Sequence, residues 1–270
     1  MTSYRYPGEH LILALTLFLV FAVIAVTSVA TVCGSALFVL IMLVASFLLS
    51  RSHHNELVAS ARPVTPQTEP ALANLIRDCG ARLQSGPVST FIAPGNILNA
   101  YTFGLTEPQV LVVYAGVFRI MDEDELRFII GHELGHVRLG HTWLNSLVGG
   151  MAGIPSPYLA AAVLYFSFRW WNRACEYSAD RAGLLACGKP EKAASALIKL
   201  TGGASAMRSA QGLQQVLHQI EAEDEGWENN LRGMLSTHPM TVRRLEALRQ
   251  YAASPEYHRL QDQINRVHPI

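Results

Sequence analysis

The chain has 270 residues, a formal net charge of +0 and 50% hydrophobic residues, with a mean hydropathy of +0.21. The neutral balance argues against nucleic acid as a partner. The apolar excess is concentrated, because residues 11 to 50 hold no charged side chain.

That run of about 40 residues exceeds one membrane span of about 20 and matches two. It predicts an N-terminal membrane anchor over 1–50: a transmembrane helical hairpin with helices at about 11–30 and 34–50, turning at TVCGS (31 to 35). A cleaved signal peptide is the competing reading, but its apolar core is normally about 7–15 residues. Nor does Cys33 fit a lipoprotein signal, since Val32 stands where a small residue belongs. Arg5 before the first span, with Arg51 and Arg62 after the second, places both ends on the cytoplasmic side of the bilayer, the inner membrane in a bacterium. The four cysteines, 33, 79, 175 and 187, show no CxxC spacing, which is compatible with free thiols in a reducing compartment.

Residues 51–70 are polar and proline-bearing and read as a connector to a domain over 71–270, with His53 and His54 as solvated connector residues. Ala71 to Leu83 has the spacing of an amphipathic helix, and short strands are expected at about 88–93, 99–104 and 109–114. Helices occupy most of the rest, so the expected fold is mainly α with a small β-sheet.

The stretch IIGHELGHVRLGH (129 to 141) places charged and polar groups in an apolar run. Asp122 followed by Glu125 resembles a capping box, and Leu126, Ile129, Ile130, Leu134 and Val137 give a helical apolar face. On that helix His132 and His136, four apart, can reach a single metal ion, and Glu133 lands beside it. This is the HExxH arrangement of zinc metallopeptidases, in which the glutamate is general base for a zinc-bound water. The alternative is two satisfied core histidines. His141, nine residues after His132, is turned to the opposite side of a continuous helix and reads as a helix-end or surface residue.

The next stretch, residues 143 to 170, is apolar and broken by IPSP. Its arms of about 12 residues reach about 18 Å each, against a hydrocarbon core of about 30 Å. A membrane-associated hairpin is expected, dipping into the near leaflet, with Trp143, Trp170 and Trp171 near the interface and Arg169 and Arg173 at the headgroups. After it, NRACEYSADRAGLL (172 to 185) carries Glu176 and Asp180, again four apart. A second helix can offer Glu176 as a third ligand and Asp180 as the carboxylate that holds a ligand histidine. Read alone, the two are equally a charged face shared with Arg173 and Arg181. The acidic patch EAEDEGWENN (221 to 230) reads as a surface loop or helix end.

From about Ala71 to Leu248 the chain resembles the gluzincin family of membrane zinc endopeptidases that contains HtpX and the CAAX prenyl proteases. The likeness rests on NAYTFG (99 to 104), DEDELRFIIGHELGHVRLGH (122 to 141), RACEYSADRAGLL (173 to 185), KPEKAASALIKL (189 to 200) and STHPMTVRRLEAL (236 to 248). The resemblance implies a zincin-type metallopeptidase domain holding one Zn2+ per chain on His132, His136 and Glu176, with Glu133 catalytic. It also implies that His238, beside Pro239, stabilises the oxyanion and that Arg244 pairs with an acidic residue such as Asp180. Without it, these two read as a helix-start histidine and a solvated arginine.

If Asn99 to Gly104 is an edge strand beside the histidine helix, Asn99, Ala100 and Tyr101 can hold an extended substrate by backbone pairing. The expected function is a membrane-anchored zinc endopeptidase cutting membrane or misfolded proteins in quality control, that biological role resting on the resemblance. A dedicated processing protease and an inactive zinc-stabilised scaffold are the alternatives. Intact Glu133 disfavours the scaffold, because a structural site needs no base.

Overall fold

A computed structural model describes residues 4–30, scattered positions between 37 and 56, and residues 58–148, 159–206 and 240–269. The uncharged N-terminal run begins as helix α1, Glu9–Ala30, which at about 1.5 Å per residue is about 33 Å long. Its window Glu9–Val26 has a mean hydropathy of 2.5, and it is the one helix among the described residues long and apolar enough to cross a membrane. Leu11, Phe18, Phe21 and Val26 are exposed along it. Its first turn differs, since Glu9 is buried and Tyr4 joins the domain core. The expected second span lies mostly outside the described residues. The described positions between Leu37 and Ser60 are helical, so part of the stretch expected as a connector is helix.

The sheet is mixed and four-stranded. It comprises β1 (Arg62–Pro63), β2 (Val88–Ala93), β3 (Ala100–Phe103) and β4 (Gln109–Tyr114), in the order β1-β2-β4-β3. β2 runs parallel to β4, with Val88 opposite Gln109, whereas β3 is antiparallel to β4, with Ala100 opposite Val113. β3 is therefore an edge strand. Helix α2 (Pro70–Leu83) starts on a proline, whose fixed φ suits the first helical position. It buries Leu72, Leu75, Cys79 and Leu83 on one face and ends at Gln84 with φ 53°.

The short helix α3 (Val117–Ile120) leads into α4 (Glu123–Leu139), which opens with the expected capping box. Asp122 Oδ1 accepts from the Glu125 amide at 3.0 Å, and Glu125 Oε2 accepts from the Asp122 amide at 2.8 Å. Two donors that a helix start leaves unpaired are thereby satisfied, worth about 1 kcal/mol per cap. Phe128, Ile129, Ile130 and Leu134 carry α4 through the core.

After α5 (His141–Val148), α4 meets α6 (Leu159–Cys187) along a seam of small residues. A Cβ placed on Gly131 would stand 2.4 Å from the Ala186 Cβ, and one on Gly135 would stand 2.5 Å from the Ala182 Cβ. Such separations are below van der Waals contact, so only glycine permits this approach. Helices α7 (Pro190–Ala206), α8 (Met240–Ala252) and α9 (Pro255–Val267) complete the described chain. Buried Arg82 donates to Leu185 O at 3.0 Å, to Asn265 Oδ1 at 2.9 Å and to His268 O, fastening α9 to α2 and α6.

Of the apolar stretch 143–170, residues 149–158 with IPSP lie outside the described residues. Trp143 and Trp170 are exposed. Trp171, expected beside them, is buried, because one residue turns a helical side chain by about 100° and carries it from the outer face of α6 onto the His141 ring, 6.1 Å away.

Candidate metal centre

The seam fixes how α4 and α6 face each other, and the functional side chains project beside it. His132 and His136 lie one turn apart on α4, and Glu176 reaches them from α6. The two Nε2 atoms are 3.2 Å apart. Glu176 Oε2 lies 3.6 Å from His132 Nε2, and Oε1 lies 3.5 Å from His136 Nε2. Glu176 thus turns one oxygen to each ring, and ligand atoms of the three residues lie within 4.8 Å of one another, against about 3.3 Å between tetrahedral ligands about 2.0–2.1 Å from zinc. The donor set, two imidazoles and a carboxylate, is that of catalytic zinc sites with one position left for water or substrate.

Each histidine also has a partner on its far nitrogen. His132 Nδ1 lies 3.0 Å from Asp180 Oδ1, one turn beyond Glu176 on α6. Arg244, from α8, donates to both Asp180 oxygens at 2.6 and 2.7 Å and pairs with Glu176 Oε2 at 2.7 Å. Burial alone would raise the Glu176 carboxyl, but the Arg244 guanidinium and the His136 and His132 rings outweigh it and hold it well below the usual carboxylate range. Asp180 is likewise lowered: burial opposes ionisation, and Arg244 and His132 overcome it. These groups are thus ionised and oriented at neutral pH.

Glu133 behaves differently. Burial pushes its carboxyl up to about 7, with the neighbouring Glu176 charge adding to the rise while His136, Thr102 and Arg244 oppose it. Among the described residues it makes no ion pair. A carboxyl near 7 exchanges a proton readily at neutral pH.

Edge strand β3 packs against α4. Thr102 reaches Glu133 and shares a hydrogen bond of 3.0 Å with Thr142, and the Gly104 amide donates to Ser146 Oγ at 2.9 Å. Asn99 O accepts from the Tyr114 amide at 3.0 Å, and antiparallel pairs alternate, so the backbone groups of Ala100 and Thr102 face away from β4. Asn99 is exposed and Tyr101 half-buried. Thus the structure brings together His132, Glu133, His136, Glu176, Asp180, Arg244 and the strand bearing Ala100 and Tyr101. His238 and Pro239 lie outside the described residues.

His141 is neither at the surface nor turned away. It is buried, with Nδ1 3.1 Å from His136 Nδ1 and Nε2 2.9 Å from Glu9 Oε1. The helical-wheel expectation failed because α4 ends at Gly140, whose φ of 79° lets the chain turn and start α5 with His141 beneath His136. Glycine before the third histidine was the available signal. Glu9 and Thr102 were also missed: the first lies at the head of an apolar run, the second inside a strand, and neither belongs to a metal-ligand pattern.

Comparison with known proteins gives the same picture. The profile of peptidase family M48 matches residues 64–252. Plastoglobule-localized metallopeptidase 48, chloroplastic, of Arabidopsis thaliana is 28% identical over 189 residues, 65% of this chain and 55% of that protein. Protease HtpX homologs of Bifidobacterium longum and Thermococcus kodakarensis are 29% and 27% identical, covering 71% and 72% of this chain and 74% and 77% of theirs. The chain therefore spans little more than half of the plant protein and about three quarters of the two HtpX homologs. It belongs to peptidase family M48, among the HtpX-like metalloproteases.

Proposed function

We propose that the chain is a membrane-anchored zinc endopeptidase in which His132, His136 and Glu176 hold one Zn2+ and Glu133 is the general base. The observation that carries this reading is the convergence of three side chains whose ligand atoms lie within 4.8 Å of one another, beside a buried glutamate with no ion pair among the described residues. When bound, zinc supplies Lewis acidity, polarising a peptide carbonyl and acidifying water. Glu133, buried beside the ligand side chains, takes the proton of the attacking water and returns it to the leaving amine. Asp180 and Arg244 hold His132 and Glu176 in place. His238, on the sequence resemblance alone, would serve the developing oxyanion.

Specificity follows from the edge strand. Ala100 and Thr102 present outward backbone groups, to which an extended peptide can add as a further strand, with Asn99 and Tyr101 flanking it. Backbone pairing tolerates many sequences, which suits unfolded or membrane-derived polypeptides and the quality-control role that the sequence resemblance implies. Exposed leucines and phenylalanines along α1 support insertion in a bilayer, with the apolar run to residue 50 as a second span. Arg5, Arg51 and Arg62 set the catalytic domain on the cytoplasmic side, and the hairpin around 143–170 holds the cleft against the near leaflet.

The test is the metal content and casein hydrolysis of detergent-purified protein. One zinc per chain is expected, with hydrolysis lost to a chelator and restored by zinc. Glu176→Gln is expected to weaken zinc retention; unchanged zinc content in that variant removes Glu176 from the ligand set, and chelator-resistant hydrolysis sinks the metal mechanism.

A further inference from the structure

The His132 and His136 rings have different partners on their far nitrogens, and only His132 is backed by Asp180 and Arg244. Behind His136 stands His141, and behind His141 stands Glu9, the first residue of α1. Glu9 accepts from three groups: His141 Nε2 at 2.9 Å, Ser178 Oγ and Arg5 Nη1. All three of Glu9, His141 and Ser178 are buried. The segment before α1 is fastened as well, for the Tyr6 amide donates to Ser178 Oγ at 2.9 Å, Arg5 Nη2 donates to Leu139 O at 2.7 Å, and the Arg181 guanidinium lies 5.3 Å above the Tyr6 ring.

Proton placement in this row is constrained by chemistry. An imidazole that gives Nε2 to a metal carries its hydrogen on Nδ1. His136 Nδ1 then donates to His141 Nδ1, which must be bare, and the His141 hydrogen is left on Nε2, aimed at Glu9. One tautomer of each ring satisfies every contact in the row. It is the arrangement in which a carboxylate orients a ligand histidine, here through an intervening ring. We infer that Glu9 and His141 are positioning residues that orient His136 for the metal, so that docking of the apolar N-terminal helix sets how firmly the centre holds its ion. This rests on the proposed ligand set.

A competing role is a second metal site, because ligand atoms of Glu9, His141 and Cys175 lie within 4.8 Å of one another. The hydrogen bonds oppose it. Glu9 is already engaged by three donors and both His141 nitrogens are taken, so an ion there would have to displace Arg5 and break the row.

The experiment uses the full chain in detergent, with Zn2+ affinity measured by chelator competition and Co2+ substitution read by visible absorption. Glu9→Gln keeps the shape and removes the charge, and Glu9→Ala and His141→Ala cut the row. Each is expected to raise the zinc dissociation constant about 10-fold or more and to alter the Co2+ bands, while Glu9→Asp recovers part of the loss. Lys199→Met, which breaks an ion pair at the far end of α4, serves as a control for general destabilisation and is expected to leave the zinc affinity within about twofold. Unchanged zinc affinity and Co2+ spectra in Glu9→Gln and His141→Ala overturn the relay while leaving the ligand set standing. Two tightly bound ions per wild-type chain overturn it in favour of the second site. A wild-type chain that binds no zinc overturns both readings.

Discussion

Two glutamates on α4, Glu125 and Glu133, are both buried and only eight residues apart, yet their surroundings are opposite. Glu125 closes the capping box and also receives Ser195 Oγ at 2.6 Å and Lys199 Nζ at 2.7 Å. Its charge is balanced and its lone pairs are filled, as a buried carboxylate needs if it is to stabilise a fold. Glu133 has no ion pair among the described residues, a carboxyl pushed up to about 7, and Glu176 for a neighbour. One helix thus carries a carboxylate locked among a lysine, a hydroxyl and a helix cap, and another that burial raises and no ion pair among the described residues holds. Burial alone does not mark a candidate catalytic group; burial without an ion pair, beside converging ligand side chains, does.

The comparison breaks most visibly at Glu133. Glu133→Gln is expected to lower casein hydrolysis by about 10²–10⁴-fold while leaving zinc content and thermal stability in place. Retained hydrolysis would put the base elsewhere. Glu125→Gln is expected to do the reverse, costing about 1–3 kcal/mol by removing the carboxylate that pairs with Lys199 and leaving that ammonium only the Ile120 carbonyl, with turnover per folded molecule unchanged. Denaturant unfolding alongside a zinc-normalised rate separates the two, and a turnover loss in Glu125→Gln larger than its loss of folded protein would erase the distinction.

The smallest effect sharpens the contrast through pH. In metal-free protein the Glu133 carboxyl is raised from 4.5 to about 7, so between those values the folded chain holds a proton that the unfolded chain has lost. Stability then falls as pH rises through that window. Glu176 and Asp180 act with the opposite sign and lower down, since their depressed carboxyls contribute stability that is lost on acidification below the ordinary carboxylate range. The difference in melting temperature between metal-free wild type and Glu133→Gln is therefore expected to grow from about pH 5 to 7, and a flat difference would show that the Glu133 proton is not held.

What was legible in the sequence was local. The capping box at Asp122 and Glu125, the phase of His132 against His136 and the strands near 88, 100 and 109 depend on spacings of two to four residues, and the structure contains each of them. The apolar face of α2 reads the same way. Arg244 came from family likeness alone, for no spacing rule links it to Asp180 across 64 residues. His141 was misplaced because a helical wheel presumes an unbroken helix, and the left-handed turn at Gly140 voids that premise. Glu9 lay unnoticed at the head of an apolar run, its partners 132 and 169 residues away. Trp171 went astray by a single helical step. Tertiary contacts of this kind leave no periodic trace.

The glycine seam between α4 and α6 carries one more consequence, for how such a sequence can change. In GHELGH the glycines at 131 and 135 and the histidines at 132 and 136 form two parallel stripes on one helix, offset by a single residue. One stripe meets Ala186 and Ala182, and the other meets Glu176. Because neither glycine position has room for even a methyl group without movement of α6, packing and chemistry are written in adjacent letters of the same word. A side chain in the silent letter would push α6 away and carry Glu176 with it, altering the meaning of the spoken one.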